Sequence, residues 1–533
     1  MRIRNFIYLL SFLFFTPSVF AQSGNLELQF KKFNTLLYQL DQNYVDSVDT
    51  EELVSSAIRS MLEELDPHSV YIPAEELRKM NEPLEGNFEG IGIQFNILKD
   101  TITVVSPIPG GPSEALGIQA SDRIIKIEEE TVAGIGVTNS MVVDRLRGKK
   151  GTTVNISILR RGESKLLDFA IVRDKIPIYS VEASYMGTES TGYIKINRFA
   201  ATTADEFKKA LAELKAEGME NLILDLQGNG GGYLRAAVDI ADELISDDKL
   251  LVYTQGRNQP RQNQNANTPG SFEKGKLVLL VDEGSASASE IVAGAVQDWD
   301  RGLIIGRRTF GKGLVQKPYM LPDGSAVRLT VSRYYTPSGR CIQKPYENGL
   351  EEYYKERFNR YTSGEMFSMD SINFPDSLKY ETSNKRTVYG GGGIMPDVFV
   401  PLDTNASSEY FSKLVRQGVI NNFALDYIDD KRKAMLKVYP NVNSFKKEFK
   451  IDDEIVKALV KAGEKAKIDY DENDYKKSKE SIHIRLKALM ARSLYESESF
   501  YYIINDLNEA YQKALESLED GTYKKMNLAE VNR

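Results

Sequence analysis

The chain of 533 residues carries one cysteine, Cys341, and two histidines, His68 and His483. One cysteine excludes an internal disulfide framework. A zinc centre of cysteine and histidine ligands cannot be assembled within one chain unless carboxylates supply most of it. A Ser-His-Asp or Cys-His mechanism would have to recruit one of two histidines that stand far apart, so a nucleophile in the middle of the chain needs another kind of base. Positive charge is also short: 68 Lys and Arg against 76 Asp and Glu leave a formal charge of -8, which argues against nucleic acid as the main partner. Beyond the first residues, no apolar run reaches the ~20 residues that a bilayer crossing takes.

What is present is a globular composition, with 41% hydrophobic and 27% charged residues, 39 Gly and 18 Pro. At roughly 150 residues per domain the length suggests three or four structural units. Residues 1–21 read as an export signal: Arg2 and Arg4 precede the apolar run Phe6 to Phe15, and Val19-Phe20-Ala21 before Gln22 fits a cleavage site. A short membrane anchor is the competing reading, disfavoured by the brevity of the apolar run. No cysteine follows the cut, so lipid anchoring there is chemically excluded. The expected location is the periplasm, with membrane association left open.

Apolar residues fall at helical spacing from Leu26 to about Leu65, with a break at Asp46 to Asp49, so residues 22–88 form a helical N-terminal region. Residues 89–172 read as a compact unit of short strands with a helix over Asn139 to Leu146. From Gly192 strands and helices alternate, which predicts helices packed on a mostly parallel sheet through residues 173–401. Within it, Gln255 to Phe272 reads as an exposed loop, and 346–385 as a polar insertion of undetermined fold. Residues 402–533 are helical and rich in Lys and Glu, which suggests a solvated helical support.

Three Gly- or Ser-rich turns follow buried strands, where open sheets gather their ligands. Gly228-Asn229-Gly230-Gly231-Gly232 fails as a dinucleotide fingerprint, because Tyr233 stands at its last position. It is either a plain glycine turn or a loop whose backbone N–H groups approach a reacting carbonyl. Gly284 to Glu290 opens a helix, and Ser287 with Glu290 three residues on also fits an ordinary capping box. Gly306 to Gly313 nearly spells a phosphate loop, but Gly313 replaces the residue that would hold magnesium. It leaves Lys312 between two glycines, and a neutral buried lysine is a competent base for a serine hydroxyl.

Taken together, GSASASE (284–290), TFGKG (309–313) with Gln316, YYTPSG (334–339) and Gly393-Ile394-Met395-Pro396-Asp397 resemble the carboxyl-terminal processing, or tail-specific, proteases. Leu65-Asp66-Pro67-His68-Ser69 resembles the segment ahead of that family's PDZ domain. The resemblance covers Leu26 to about Pro401 and hardly reaches the last 130 residues. It implies a multidomain α/β fold: a ClpP/crotonase-like core with an inserted PDZ domain and helical N- and C-terminal regions. It implies a serine-type endopeptidase in which Ser287 is the nucleophile, Lys312 the base and Gln316 the residue that orients it. The oxyanion donors would be the N–H groups of Ala288 and Gly231, with Gly230 as the alternative because the turn lacks the family's usual proline.

By the same resemblance Gly90-Ile91-Gly92-Ile93 would be the PDZ loop that captures a chain terminus, and Ile91 and Ile93 would help line the pocket for an apolar last side chain. Core packing is the plain reading of both isoleucines. The implied partners are polypeptides with apolar C-termini, and the implied substrates are cell-envelope proteins. No metal or organic cofactor is required. A homodimer and a regulatory adaptor remain open, and a non-catalytic PDZ scaffold of the envelope is the alternative function.

Overall fold

The computed structural model describes residues 18–526 and 528, apart from 247, 373 and 405. Residues 1–17, which hold most of the expected export segment, lie outside the described residues. The chain divides into two compact units, residues 1–71 and 72–533.

The first unit contains helices Ser18–Asn43 and Thr50–Glu63. Asp49, one of the residues that breaks the apolar periodicity, caps the second helix by accepting the Glu52 N–H at 3.0 Å. In the Leu65 to Ser69 stretch, Asp66 closes a tight turn: Oδ1 accepts the N–H groups of His68 (2.8 Å) and Ser69 (2.9 Å), and Oδ2 accepts the Ser69 hydroxyl at 2.6 Å. The first helix leaves Leu26, Phe30, Leu36 and Tyr38 exposed.

In the second unit the PDZ strands run antiparallel in the order Ile93–Leu98, Thr101–Pro107, Arg123–Ile127, Thr153–Leu159 and Leu167–Val172. Alternation places Val154, Ile156 and Ile158 in the domain's core. The helix Asn139–Leu146 starts at Thr138, whose hydroxyl accepts the Met141 N–H. Ile93–Leu98 is an edge strand, paired on one side only. The chain enters and leaves this domain through one antiparallel pair, Asn87–Gly90 with Asp174–Pro177, as an inserted domain requires.

The largest part of this unit is built on a six-stranded sheet in the order Val181–Met186, Thr191–Ile196, Asn221–Asp225, Leu277–Val281, Leu303–Gly306 and Val398–Phe399. All neighbours are parallel except the first pair. Leu277–Val281 is apolar throughout because both of its faces are covered. Helices Thr203–Ala216, Leu234–Leu244 and Ala288–Asp298 share the core on one face. The other face packs against Tyr511, Ala514 and Leu518 of the helix Glu509–Glu519 and against Tyr523. Residues 509–523 are therefore part of the sheet's core rather than a solvated support, and Tyr523 both donates to the Leu277 carbonyl and accepts its N–H, each at 2.7 Å.

One further reading is corrected, and the insertion of undetermined fold is given one. Gln255 to Phe272 is not a loop throughout: strands Leu250–Gly256 and Gln259–Asn265 form a hairpin in a second sheet with Ala326–Tyr335 and Leu314–Met320. Its outer strand is exposed and polar on both faces, so it carries no alternation to report it. The insertion folds as a helix, Leu350–Thr362, and a short hairpin, Lys379–Glu381 with Thr387–Tyr389. It braces the lysine loop: Arg308 makes a two-pronged ion pair with Glu365 (2.6 and 2.8 Å), and Arg360 donates to the carbonyls of Arg308 and Thr309.

The remaining C-terminal helices surround their own apolar cluster, which includes Leu414, Ile428, Phe445 and Leu486. One of them, Val419–Val438, meets the PDZ domain through charge: Lys99 with Asp426 (3.2 Å), Arg123 with Asp429 (3.3 Å) and Arg161 with Asp430 (2.5 Å). Exposed pairs contribute about 0.2–1 kcal/mol each, so the contact is sensitive to salt. Replacing Asp426, Asp429 and Asp430 by Lys should speed hydrogen exchange in the PDZ segments around Lys99 and Arg161, and adding Lys99→Glu, Arg123→Glu and Arg161→Glu should slow it again. Exchange that ignores both sets of changes would show that these pairs do not hold the domain.

Candidate active site

The three expected turns follow the carboxyl ends of adjacent parallel strands and meet there. The serine loop is pinned to the glycine turn by the Ser285 hydroxyl on the Leu226 carbonyl (2.8 Å), the Ser289 hydroxyl on the Asn229 carbonyl (2.8 Å) and the Ala286 N–H on the same carbonyl (3.0 Å). Ser287 is half-buried at the head of the helix Ala288–Asp298, with φ 56° and ψ -111°. A positive φ at a residue other than glycine is strain that the surrounding bonds must hold. Gly231 has φ +99°, and a Cβ there would lie 2.8 Å from Ser287 Cβ and 2.8 Å from the Ala286 carbonyl oxygen, so only glycine fits against the serine.

The expected second oxyanion donor is engaged. The Gly231 N–H donates to Asn229 Oδ1 at 2.9 Å, while Asn229 is itself anchored by its Nδ2 on the Ile196 carbonyl. Among the described residues, the N–H groups of Gly230 and Ala288 make no hydrogen bond. Ala288 owes its open N–H to its place in the first turn of a helix.

The side chain that organises the site is Glu290. It is fully buried, and its Oε2 accepts the N–H groups of Ser287 (2.7 Å) and Lys312 (2.9 Å). Its Oε1 accepts the Gly311 N–H (2.7 Å) and the Thr309 hydroxyl (2.5 Å). Thr309 Oγ1 in turn accepts the Ile394 N–H at 2.6 Å. Glu290 thus takes the Ser287 N–H as a capping box would, but spends its other lone pairs on the lysine loop. Burial pushes its carboxyl up to about 7, against the four donors, which pull it down.

A second bridge closes the arrangement from the other side. The Tyr334 hydroxyl lies 2.5 Å from the Lys312 carbonyl oxygen and 3.0 Å from that of Ser287. Burial, reinforced by Glu290, pushes its pKa well above the ordinary range, so it stays a donor. Gln316 stands on the strand Leu314–Met320 opposite Thr330, and its Nε2 donates to Thr330 Oγ1 at 3.2 Å. The glycine turn has its own anchor. Asp225 accepts Lys195 Nζ (3.0 Å), the Tyr193 hydroxyl (2.7 Å) and the Gln227 N–H (2.8 Å), and Lys195 Nζ also donates to the Gln227 carbonyl at 2.5 Å.

Sequence reasoning missed Tyr334, Thr309 and the Lys195–Asp225 pair as parts of the site. Two of these were inside motifs already marked. The third could have been seen as a charged residue on each of two otherwise apolar buried strands. In the PDZ domain, Gly90 closes the entry strand and Gly92 has φ +75°, while the Ile91 carbonyl accepts the Ser113 hydroxyl at 2.6 Å. Ile91 and Ile93, expected to help line the tail pocket, are both in the domain's own core at 2% and 9% exposure.

The Glu290 environment fixes a pH dependence. The folded state keeps a proton that the unfolded chain, with an ordinary value of 4.5, has released. The contribution of Glu290 to stability is therefore complete below about pH 4.5 and is lost as pH rises through about 7. The stability advantage of the wild type over Glu290→Gln, read from denaturant unfolding, should shrink between pH 5 and 7.5 by on the order of 1–3 kcal/mol. An advantage that stays constant with pH would show that this carboxyl does not titrate there.

Comparison with known proteins gives four matches along the chain. The peptidase family S41 model matches residues 190–352, the PDZ domain model 90–171, the activating protease CtpB N-terminal domain 18–76, and a family of unknown function, DUF8443, 410–496. The carboxy-terminal processing protease CtpB of Bacillus subtilis is 34% identical over 72% of this chain and 78% of its own length. The carboxy-terminal-processing protease of Bartonella bacilliformis is 36% identical over 64% of this chain and 80% of its own. Among solved structures, the photosystem II D1 C-terminal processing protease is 28% identical over 69% of this chain and 92% of that one, with a TM-score of 0.35. The chain belongs to the carboxy-terminal processing proteases, serine peptidases of family S41 that carry a PDZ domain.

Proposed function

We propose that the protein is an exported endopeptidase that works through a Ser287–Lys312 dyad on polypeptides recruited by their apolar C-termini. The observation that carries this reading is the double hold on the two residues: Glu290 Oε2 accepts both of their N–H groups, and the Tyr334 hydroxyl spans both of their carbonyls. Neutral Lys312 takes the Ser287 hydroxyl proton as Oγ attacks the peptide carbonyl carbon. The negative charge that collects on the carbonyl oxygen is met by the N–H of Ala288 and one from the glycine turn, Gly230 as it stands or Gly231 once Asn229 has turned away. Protonated Lys312 gives its proton to the departing amine, leaving an acyl ester on Ser287. Water, deprotonated by Lys312, then attacks the ester and frees the new C-terminus.

Recognition is assigned to the PDZ domain. A substrate tail adds along the free edge of Ile93–Leu98, with its carboxylate at the loop Gly90 to Ile93. Since Ile91 and Ile93 are core residues, their part in selecting an apolar tail is to shape the loop rather than to line the pocket. Gln316 is assigned to orienting Lys312, and its bond to Thr330 holds it on its strand for that purpose. The envelope is the expected place of action, with envelope proteins as substrates, on the strength of the export signal read at residues 1–21.

The test is cleavage of an unfolded reporter with an apolar tail. Ser287→Ala and Lys312→Ala should each lower kcat/KM by about a thousandfold or more while leaving the protein folded. Measured at pH 8, above the value of about 7 at which Glu290 ionises, Glu290→Gln should lower it about 10–100-fold, as loss of charge-assisted hydrogen bonds predicts. A charged tail should raise KM and leave kcat near its value for the apolar tail. Full activity of the Lys312 variant would rule out the dyad, and binding of the tail without any cleavage by the wild type would favour the scaffold reading.

A homodimer is proposed through the first helix, whose exposed Leu26, Phe30 and Phe33 lie at helical spacing. Light scattering should give twice the chain mass for the wild type and the single mass for Phe30→Glu with Leu36→Glu. A wild-type monomer at micromolar concentration would contradict the proposal.

A further inference from the structure

The residue that leads into the glycine turn, Gln227, is held from two directions, and one of them lies near the end of the chain. From the sheet, Lys195 and Asp225 are both buried and stand opposite each other in the register of two parallel strands. Lys195 Nζ donates to Asp225 at 3.0 Å and to the Gln227 carbonyl at 2.5 Å, while Asp225 accepts the Gln227 N–H at 2.8 Å. Two charges thus fix both backbone groups of the residue before Gly228.

The second hold comes from residues 501–511, which cross the sheet strand by strand. The Tyr501 hydroxyl donates to Glu182, and Asn505 Nδ2 to the Tyr185 hydroxyl at 2.8 Å, both on the edge strand Val181–Met186. On the next strand the Tyr193 ring meets the Tyr511 ring edge-on at 5.4 Å, and its hydroxyl donates to Asp225 at 2.7 Å. Asn508 reaches the third strand's end. Its Oδ1 caps the helix Glu509–Glu519 by accepting the Tyr511 N–H at 3.3 Å. Its Nδ2 donates to Gln227 Oε1 at 2.9 Å and, more weakly, to Asn505 Oδ1 at 3.4 Å. A helix cap needs only the oxygen, and a serine or aspartate supplies one as well. Capping therefore leaves the amide nitrogen, aimed at Gln227, without an explanation.

We propose that Asn508 and Lys195 are positioning residues for peptide cleavage, which through Gln227 set the glycine turn that meets the charge on the carbonyl oxygen. The inference rests on the Ser287 reading above. There is little slack in that turn: a Cβ on Gly231 would already lie 2.8 Å from Ser287 Cβ. A shift carried from Gln227 moves the Gly230 and Gly231 N–H groups relative to the serine, and a misplacement of about 1 Å can cost about a hundredfold in rate. The last helices then act on the transition state and leave substrate binding alone. Plain docking of those helices on the sheet, the competing reading, gives an enzyme whose kcat does not depend on Asn508.

The test is kinetic. On the apolar-tailed reporter, Asn508→Ala and Gln227→Ala should each lower kcat about three- to tenfold and leave KM within about twofold. The double variant should lose no more than either single one, because both remove the same bond. A peptide aldehyde gives a second readout: Ser287 Oγ adds to its carbonyl carbon, the hydroxyl proton passes to Lys312, and the former carbonyl oxygen carries the negative charge. Its affinity should fall by the factor by which kcat falls. Lys195→Arg should keep more of kcat than Lys195→Met, which leaves Asp225 buried without its partner and can cost folding; the Asn508 variants decide in that case. Hydrogen exchange needs no cleavage: in the Ser287→Ala protein, Asn508→Ala should speed exchange across residues 226–232 and leave 309–313 unchanged. A wild type that does not cut contradicts the dyad, while the exchange still decides the hold on the turn. Losses that multiply in the double variant, a change confined to KM, an aldehyde affinity that does not move, or exchange across 226–232 that ignores Asn508→Ala would each overturn the proposal.

Discussion

One buried carboxylate holds this structure to its purpose. Glu290 is placed by the first turn of its helix, where it would be an ordinary cap, yet it takes four hydrogen bonds, from three N–H groups on two separate stretches of backbone and from one hydroxyl. A charge that deep is costly unless donors surround it, and here the donors are the serine loop and the lysine loop themselves. The same bonds that keep the carboxylate tolerable therefore fix the relative position of Ser287 and Lys312. Thr309 extends the network to Ile394, and Tyr334 closes it across the two carbonyls. Four motifs separated in sequence are, in space, one hydrogen-bond network.

Around that network the fold works as a set of braces. The insertion grips the lysine loop through Arg308 and Arg360. The Lys195–Asp225 pair grips both the N–H and the carbonyl of Gln227 at the foot of the glycine turn. The last helices cover the sheet's second face and reach the same residue, since Asn508 Nδ2 donates to Gln227 Oε1 at 2.9 Å. The PDZ domain, in contrast, is joined to the rest by a two-strand neck, by the Arg147–Glu82 pair and by ion pairs to the helix Val419–Val438.

Much of this was legible because burial leaves a pattern. Continuous apolar runs marked Asn221–Asp225 and Leu277–Val281, and helical spacing marked Thr203–Ala216. The motifs that hold Ser287 and Lys312 were marked in the sequence, and the structure brings the two loops together through Glu290. What stayed hidden is what pattern cannot carry. The strand Gln259–Asn265 is polar on both faces, so period and polarity both spoke for a loop. Tyr511 and Tyr523 pack on a sheet hundreds of residues earlier, which a Lys- and Glu-rich helix does not announce. Ile91 and Ile93 were expected at the tail pocket through the resemblance, whereas their side chains complete the domain's interior. Which lone pair of Glu290 meets which N–H is a matter of tertiary distance, and the capping arithmetic could show only half of it.

The central claim is that Glu290 holds a competent nucleophile in place. The direct measurement is the rate at which a fluorophosphonate labels the serine in the wild type and in Glu290→Gln at pH 7.5, with the modified peptide located by mass spectrometry. The account predicts labelling at Ser287 in the wild type and a rate at least tenfold lower in a folded Glu290→Gln protein. Equal rates in the two, or labelling at another serine, would contradict it.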